Sequence, residues 1–440
     1  MASCILLIRH AKAKGASSAS SEERRKLSTA GKRAGRAAMR RMASLLGGFV
    51  DPDAVSIWSS TATRAYQTAE MAADALEIDA DRVKVVDALS DENAEALLEK
   101  IEATEGAVVA VARGPFVEAL TQQMCGDQLH FGKAAIACLV PREDGQEGYD
   151  LAWFLQGPPP ERWETMIQLE KAFAHAGEQV SRRAKQLRNN PDDVEALHQY
   201  RISLRVARSL VTFAKPYLRK EVWAEASEDL RELQAPTSEL REYDVIFGQL
   251  SSASAEGEDA DGPAWSDQQE LLDSCAAQRD AVRKRFFSEF GKRRTKRQLG
   301  SIVRLLKSVR WRGVIEGRGL SVEELRGRYF ELAAQYRDEL AACDFGDAEA
   351  THAVRKRSKQ QRYIARELGA ILGEDCVKTG DEAREAQELL GELCDARVNL
   401  ELAAKLQGKP EKGGTNKKAS YAHAERAREK EILKQLKKRS

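Results

Sequence analysis

The apolar positions of this chain follow two different periods, and the change falls near residue 160. Before that point, short apolar runs end at polar residues, a pattern typical of strands buried in a sheet. The predicted strands are SCILLIRH at the start of the chain, AVSIWSS (54–60), EGAVVAVAR (105–113), AAIACLVP (134–141) and YDLAWFLQ (149–156). The last two runs alternate in polarity like a closing pair of strands.

Helical patterns lie between these runs. Apolar residues recur at helical spacing over 22–46, 61–76 and 116–125, and Ser28 or Thr29 is a candidate N-cap for the first helix. Strands that alternate with helices predict a three-layer α/β domain. We assign it to residues 1–157.

A proline-rich boundary follows. Gly157-Pro158-Pro159-Pro160 forms a stiff spacer, because proline fixes φ and removes a backbone donor. We expect a linker over 158–164 and a helical domain over 165–408. That domain divides into halves of about 165–250 and 267–408, separated by a small, acidic loop at 251–266. We expect the basic tail, 409–440, to be disordered or a lone helix.

The composition narrows the class of protein. The 440 residues are 42% hydrophobic and 6% aromatic, with a formal net charge of +1. The seven cysteines are scattered and show no metal-binding spacing, so they indicate reduced thiols, and we predict no metal and no cofactor. The apolar start, CILLI, is too short for a signal segment or a membrane span. We therefore expect a cytoplasmic protein with no membrane partner. The sequence does not indicate an oligomeric state.

One pattern of histidine and basic residues occurs twice in the helical region. The two segments start at His198 and His352, and basic residues follow each histidine at offsets of three, seven and ten. The two rows are His198, Arg201, Arg205 and Arg208, and His352, Arg355, Lys359 and Arg362. On a helix these offsets span an arc of roughly 80°. A solvated charged face is the ordinary explanation for one such row, but two rows in the same register favour a site for a polyanion.

The two segments resemble the paired signature of the CHAD family, the conserved-histidine α-helical domains. LREYDVIFGQL (240–250) and LGELCDARVNL (390–400) are similar to the turns that follow each signature in that family. Arg241 stands in the first turn, whereas the second carries Cys394 and Asp395. The resemblance implies two pseudosymmetric helical bundles, binding of inorganic polyphosphate and association with polyphosphate granules. Further candidates for the anion surface are Arg241, Arg283, Arg297 and Arg304.

The α/β domain places its charged residues after its strands. Arg9 and His10 follow the first strand, Arg64 comes just after the second, and Arg113 follows the third. In open α/β sheets, ligands bind beyond the carboxyl ends of the strands. We therefore expect these side chains to form one site.

These residues also carry a resemblance. LLIRHAKA, KLSTAGKRAG and SSTATRAYQTA are similar to three consecutive motifs of the histidine phosphatase superfamily, and the short domain points to its SixA-type phosphohistidine phosphatase branch. The resemblance implies that His10 is the nucleophile. It also implies that Arg9, Arg64 and Ser60 bind the phosphoryl group.

The second histidine of that family is missing. Its turn reads Ala112-Arg113-Gly114-Pro115, so Arg113 stands in its place. Arginine supplies charge and hydrogen bonds but gives up no proton near neutrality. Asp91 and Glu92 are candidate general acids in a nearby loop. A phosphate-binding pocket with impaired catalysis and a working phosphatase both remain open.

Two functions follow. The leading hypothesis is polyphosphate binding by the helical domain, joined to a SixA-like domain that binds phosphate. The alternative is an active phosphatase that acts on a phosphoprotein, on phosphohistidine or on polyphosphate through His10. Nucleic acid is disfavoured, because few aromatic residues accompany the signature cations.

Overall fold

A computed structural model describes residues 2–47, 50–142, 148–256, 263–406 and 420–439. The chain forms two compact units. The first contains Met1–Ile167 together with Gly313–Ser321, and the second contains Gln168–Arg312 and Val322–Ser440. Each is described by itself.

The first unit is built on one sheet. Its strands are β1 (Cys4–Arg9), β2 (Val55–Ser59), β3 (Val83–Val85), β4 (Ala107–Ala112), β5 (Ile136–Pro141) and β6 (Tyr149–Leu155). They lie in the order β3-β2-β4-β1-β5-β6. The first four are parallel, whereas β5 pairs antiparallel with both β1 and β6. The predicted closing pair is therefore confirmed, and β3 is a strand that the sequence analysis did not predict.

Helices cover both faces of this sheet, as predicted. They are α1 (Thr29–Leu46), α2 (Thr63–Ala75), α3 (Asp87–Ser90), α4 (Ala94–Glu102) and α5 (Gly114–Cys125). Alternate strand residues enter two separate cores, with Leu6 and Ile8 in one and Ile5 and Leu7 in the other. The first predicted helix starts too early, because Ser28 caps α1 by accepting from the backbone N–H of Gly31.

The second unit is helical. The remaining helices of the chain are α6 (Glu161–Asn189), α7 (Val194–Ala214), α8 (Lys220–Gln234), α9 (Thr237–Glu256), α10 (Pro263–Phe290), α11 (Arg293–Lys307), α12 (Gly313–Arg318), α13 (Val322–Ala341), α14 (Ala348–Leu372), α15 (Glu374–Leu406) and α16 (Ser420–Arg439). They belong to the second unit, except that α6 begins in the first unit and α12 is part of it. The two rows of histidine and basic residues, called the signature rows, lie on α7 (His198 to Arg208) and α14 (His352 to Arg362). The α/β and all-α regions thus confirm the predicted fold class.

Three segments differ from the sequence-based expectation. The expected turns at 240–250 and 390–400 lie inside α9 and α15. The expected loop at 251–266 is helical through Glu256 and again from Pro263, while 257–262 lie outside the described residues. α6 begins at Glu161, inside the segment assigned to the linker.

The tail is also different from expectation. Within it, α16 is helical and packs against α15, with Ile432 and Leu436 buried in a cluster that includes Leu390 and Leu393. It is therefore not a lone helix. Residues 407–419 lie outside the described part of the chain. No helix among the described residues is long and apolar enough to cross a membrane.

Candidate anion-binding sites

The first site forms where three parallel strands end. The backbone N–H of His10, just after β1, donates to the carbonyl of Ala112 at the end of β4 across 3.0 Å. The backbone N–H of Ser60, just after β2, donates to the carbonyl of Val111 across 3.2 Å. The strand register therefore brings His10, Ser60 and Arg113 to one edge of the sheet.

The His10 side chain is buried and fixed in one tautomer. Its Nδ1 lies 2.8 Å from the carbonyl oxygen of Ala11, and its Nε2 lies 3.1 Å from Nε of Arg64. A carbonyl oxygen only accepts hydrogen bonds, so the network assigns the proton to Nδ1. Burial, together with the charges of Lys133, Arg64 and Arg9, lowers the pKa of His10 to about 3. His10 therefore offers a neutral imidazole with a lone pair on Nε2.

Arg64 lies in the first turn of α2 and is fully engaged by neighbours. Its Nη1 donates to the carbonyl of Glu22 across 2.6 Å, and its Nη2 lies 3.3 Å from the Glu22 carboxylate. Only 4% of Arg64 is exposed, and this burial lowers its pKa. A phosphoryl oxygen that binds Arg64 has to compete with the Glu22 carboxylate.

Arg9 and Ser60 have donors left over. Arg9 Nη1 donates to the carbonyl of Phe131, while its Nε is buried without a partner among the described residues. Ser60 Oγ is likewise buried and unpaired in that part of the chain. A Cβ at Gly114 would lie 2.5 Å from Arg9 Nε, so only glycine leaves room for this guanidinium. Unpaired buried donors are costly, and an anion would satisfy both.

Arg113 forms an ion pair with an acid at the same edge of the sheet. Its Nη2 lies 2.6 Å from Oε1 of Glu92, and 49% of the Arg113 side chain is exposed. Glu92 has a φ of +55°, a conformation that non-glycine residues seldom adopt. Of the two acids proposed from the sequence, Glu92 is therefore the one that the structure pairs with Arg113.

Lys133 belongs to this site and was missed by the sequence analysis. Its charge lowers the pKa of His10, and burial together with Arg9 and Arg64 lowers the pKa of Lys133 itself to about 8. The next residue, Ala134, has a φ of +61°, and its N–H faces the carbonyl of His10 at 3.4 Å. Lys133 stands just before β5, and its place beside His10 follows from the tertiary fold.

The second site is a pocket in the helical unit, and we call it the signature pocket because residues of both signature rows line it. α7 and α14 pack against each other, and the pocket beside them has a volume of about 520 Å³. α8, α9 and α15 complete its walls. Its lining residues with charged or imidazole side chains are His198, Arg201, Arg205, Arg208, Arg231, Arg241, Glu242, His352, Arg355, Lys356, Lys359 and Asp395.

The pocket brings together seven of the eight residues in the two signature rows. The eighth, Arg362, donates to Oε1 of Gln387 across 3.2 Å and is not part of the lining that the structure describes. Of the four further candidates, Arg241 lines the pocket. Arg283 instead pairs with Asp192 and Asp244, at 3.2 and 3.1 Å.

Arg297 and Arg304 line a different cavity, formed by α8 and α11. Three carboxylates of α8 share that cavity, Glu225, Asp229 and Glu232. Burial and these neighbouring acids raise the pKa of Asp229. The cavity therefore has mixed charge, unlike the signature pocket.

Most cations of the signature pocket lack a carboxylate partner. Arg208, Arg241 and Lys359 form no ion pair among the described residues. Arg201 donates from Nη1 to Thr237 Oγ1 and Ser238 Oγ, which are neutral hydroxyls. Arg355 has an acid, with Nη2 lying 3.3 Å from Oδ1 of Asp395.

Burial and mutual repulsion lower the pKa values in this pocket. The pKa of Lys359 falls to about 7 and that of Arg201 to about 10, with burial as the first cause and neighbouring arginines as the second. Burial also lowers the pKa of His198 and His352. The charged forms of these four side chains are therefore destabilised in the pocket, and a bound anion would stabilise them.

The two halves of the pocket differ at one equivalent position. In the aligned turn segments, Arg241-Glu242 of the first half corresponds to Cys394-Asp395 of the second, and all four residues line the pocket. The first half thus presents an arginine where the second presents a cysteine, while each half keeps one carboxylate. Asp395, Lys356 and Arg231 are lining residues that the sequence analysis missed. Lys356 could have been found, because it lies next to Arg355 on the same helix.

Comparison with protein families is consistent with this arrangement. The model of the CHAD domain matches residues 171–404, which is more than half of the chain. The chain belongs to the CHAD-domain family. The model of the histidine phosphatase superfamily (branch 1) matches residues 5–94, which hold His10, Arg9, Ser60 and Arg64. Both resemblances inferred from the sequence are confirmed. Curated proteins gave no significant match.

Solved structures resemble each part of this CHAD-family chain. A SixA protein from Agrobacterium tumefaciens is 27% identical, with a TM-score of 0.30, over 35% of this chain and 98% of that one. PptA from Streptomyces chartreusis is 15% identical, with a TM-score of 0.46, over 61% and 98%. The CHAD domain from the plant Ricinus communis is 19% identical, with a TM-score of 0.45, over 62% and 87%.

The two sites have different chemical capacities. The first offers one nucleophilic nitrogen beside several cations, an arrangement suited to phosphoryl transfer. The second, in the CHAD domain, offers many cations in one pocket, which suits the binding of anions. Among the described residues no group of three histidine, cysteine or carboxylate side chains could hold a metal ion.

Proposed function

We propose that this protein binds inorganic polyphosphate in the signature pocket of its CHAD domain. The observation that supports this proposal is the charge balance of the lining. Eight lysines and arginines face the pocket, against the two carboxylates of Glu242 and Asp395. Such an excess is unfavourable without an anion, and planar guanidinium groups are well matched to phosphate oxygens.

The lining also supports phosphate chains over nucleic acid. Proteins that bind single-stranded nucleic acid usually stack bases on aromatic rings. No aromatic side chain is present among the described residues that line the pocket. A linear polyphosphate carries charge on every phosphate and has no base to stack, so it suits a pocket of cations. Association with polyphosphate granules would follow from this binding.

We further propose that the first site binds a phosphoryl group with impaired turnover. The unpaired donors of Arg9 and Ser60 support phosphate binding. Arg113, which stands in place of a histidine and pairs with Glu92, supports the impairment. The alternative is an active phosphatase, and the neutral imidazole of His10 favours it. Phosphohistidine or the end of a polyphosphate chain would be its substrate.

Titration of the full chain with labelled polyphosphate at several salt concentrations tests the first proposal. We expect tight binding that weakens steeply with salt and that RNA of similar charge does not displace. Arg297→Gln is a matched control, because Arg297 lines the mixed-charge cavity and not the signature pocket. Binding that RNA displaces equally well, or that Arg297→Gln weakens as much as Arg205→Gln, would contradict the proposal.

A second assay separates binding from turnover in the first site. Labelled phosphoryl donor is added, and acid-labile label on the protein is measured. Label that His10→Ala abolishes, together with release of phosphate over time, would favour the active phosphatase. Binding of phosphate without release would favour the impaired site.

A further inference from the structure

Lys359 differs from the other cations of the signature pocket. It lies on α14, is only partly exposed, and forms no hydrogen bond or ion pair among the described residues. Arg355 flanks it on the same helix, Arg205 faces it from α7, and Asp395 and Cys394 face it from α15. A lysine in this position has no fixed role as a structural donor.

The surroundings of Lys359 favour the neutral amine. Burial, and then the charges of Arg355 and Arg205, lowers its pKa to about 7. A far larger share of the Lys359 amines is then neutral at pH 7 than for an ordinary lysine, which leaves fewer than about one in a thousand neutral. Neutral amines are nucleophiles, and buried lysines are activated in this way in enzymes.

The same pocket attracts anions, so an electrophile that carries a phosphate would be concentrated beside this amine. We propose that Lys359 is a self-acylation site for small acyl phosphates, whose phosphate group the pocket binds through Arg205 and Arg355. This rests on the pocket binding anions, as in the proposed function, but not on polyphosphate being the ligand. The volume of about 520 Å³ admits such a small molecule.

The reaction needs no other reagent. The lone pair of Lys359 Nζ attacks the acyl carbon, and the bond from that carbon to the phosphate oxygen breaks. The bonding electrons leave with inorganic phosphate, whose charge the guanidinium groups stabilise. The nitrogen loses its proton to solvent, and the products are an acyl-lysine and phosphate. Acylation removes a cation from the pocket, so it should weaken anion binding.

Site-resolved kinetics with acetyl phosphate test this proposal. The full chain is incubated at pH 7.5, and acetylation is measured by peptide mass spectrometry. We expect Lys359 to react at least about tenfold faster than Lys185, an exposed lysine that is not part of the pocket lining, and faster than the exposed Lys356 inside it. Equal rates at Lys359 and Lys185 would overturn the proposal, whether or not the protein binds polyphosphate.

A second reagent separates recruitment from intrinsic reactivity. The acetyl ester of N-hydroxysuccinimide is uncharged, so it reports only the nucleophilicity of each amine. Arg205→Gln should slow the acetylation of Lys359 by acetyl phosphate by about tenfold. It should slow the acetylation of Lys359 by the neutral ester much less. Equal slowing of both reagents would overturn the assigned role of the phosphate-binding arginines.

Polyphosphate distinguishes this inference from the proposed function. Added polyphosphate should protect Lys359 from acetyl phosphate if both bind the same pocket. Fast acetylation of Lys359 that polyphosphate does not reduce, in a protein that fails to bind polyphosphate, would support self-acylation and contradict the proposed function. Tight polyphosphate binding, with acetyl phosphate showing no preference for Lys359, would support the proposed function and contradict self-acylation.

Discussion

Arg64 donates a hydrogen bond from Nε to Nε2 of His10 across 3.1 Å. That nitrogen is also the atom with the lone pair that would attack phosphorus, because Nδ1 holds its proton toward the carbonyl of Ala11. The hydrogen bond from Arg64 therefore occupies the lone pair of the candidate nucleophile. A phosphoryl group whose oxygens accept hydrogen bonds from Arg64 would remove the donor from His10 Nε2 and so free its lone pair. The same hydrogen bonds would hold the phosphorus atom in front of Nε2.

The missing histidine leads to the first prediction. Arg113→His restores a side chain that can exchange a proton near neutrality, and it removes the ion pair with Glu92. We expect hydrolysis of a phosphohistidine peptide to rise by about 10-fold to 100-fold. Release of inorganic phosphate measures it. The double variant with His10→Ala is the control and should stay at background, whereas activity in that double variant would exclude His10 as the nucleophile.

The buried imidazole leads to the second prediction, on stability. The pKa of His10 is about 3 in the folded protein, against its ordinary value of 6.5. Between these values the unfolded chain binds more protons, so the stability contributed by neutral His10 is present above pH 6.5 and is lost as the pH falls toward 3. Chemical denaturation at pH 7 and pH 4.5 should show a larger loss for the wild type than for His10→Gln. Equal losses would contradict the buried neutral state.

Two cations that line the signature pocket from different helices give the third prediction. Arg205 and Lys359 come from different signature rows, yet each lies within electrostatic reach of the other. Reversing both charges, Arg205→Glu with Lys359→Glu, should weaken polyphosphate binding by at least about a hundredfold. Circular dichroism should show unchanged helical content. Arg362→Glu provides the comparison, because Arg362 carries the same signature position but contacts Gln387 instead of lining the pocket.

The sequence alone predicted the strands and helix faces whose residues recur at a regular period. The alternation of short apolar runs gave most strands of the sheet, and the 3.6-residue repeat placed His198, Arg201 and Arg205 on one helix face. It missed β3, which has only three residues and leaves Lys84 and Val85 exposed, so no apolar run marks it. The sequence also did not predict that the tail packs against the rest of the domain. Ile432 and Leu436 form a short apolar stripe that is buried against residues of α15.

The parts of the sites that failed prediction depend on tertiary contacts. Lys133 reaches the His10 site because β5 pairs with β1, and no local spacing in the sequence reports that pairing. The ion pair of Arg113 with Glu92 joins two loops in the same way. Arg362 shows the opposite error, since it keeps the repeat spacing but its side chain hydrogen-bonds Gln387.

The fourth prediction concerns the pH dependence of polyphosphate binding. Burial and neighbouring cations lower the pKa of His198, His352 and Lys359, the last to about 7. A bound polyanion favours their charged forms, so binding takes up protons and affinity should fall as pH rises from 6 to 8. Calorimetry in buffers of different ionisation enthalpy measures this uptake. Lys359→Arg should reduce the dependence, because arginine stays charged throughout.

The carboxylate in the second half of the pocket gives the last prediction. Asp395 lies 3.3 Å from Arg355 and raises the pKa of Lys359, so it partly neutralises the side of the pocket formed by α14. Asp395→Asn keeps the shape of the side chain and removes its charge. We expect polyphosphate to bind about threefold more tightly, with a steeper dependence on salt, because one carboxylate fewer repels the anion and Arg355 is left without its acid. Glu392→Gln, also on α15 but not in the described lining, should leave the affinity unchanged. Weaker binding by Asp395→Asn would show instead that Asp395 holds Arg355 in its binding position.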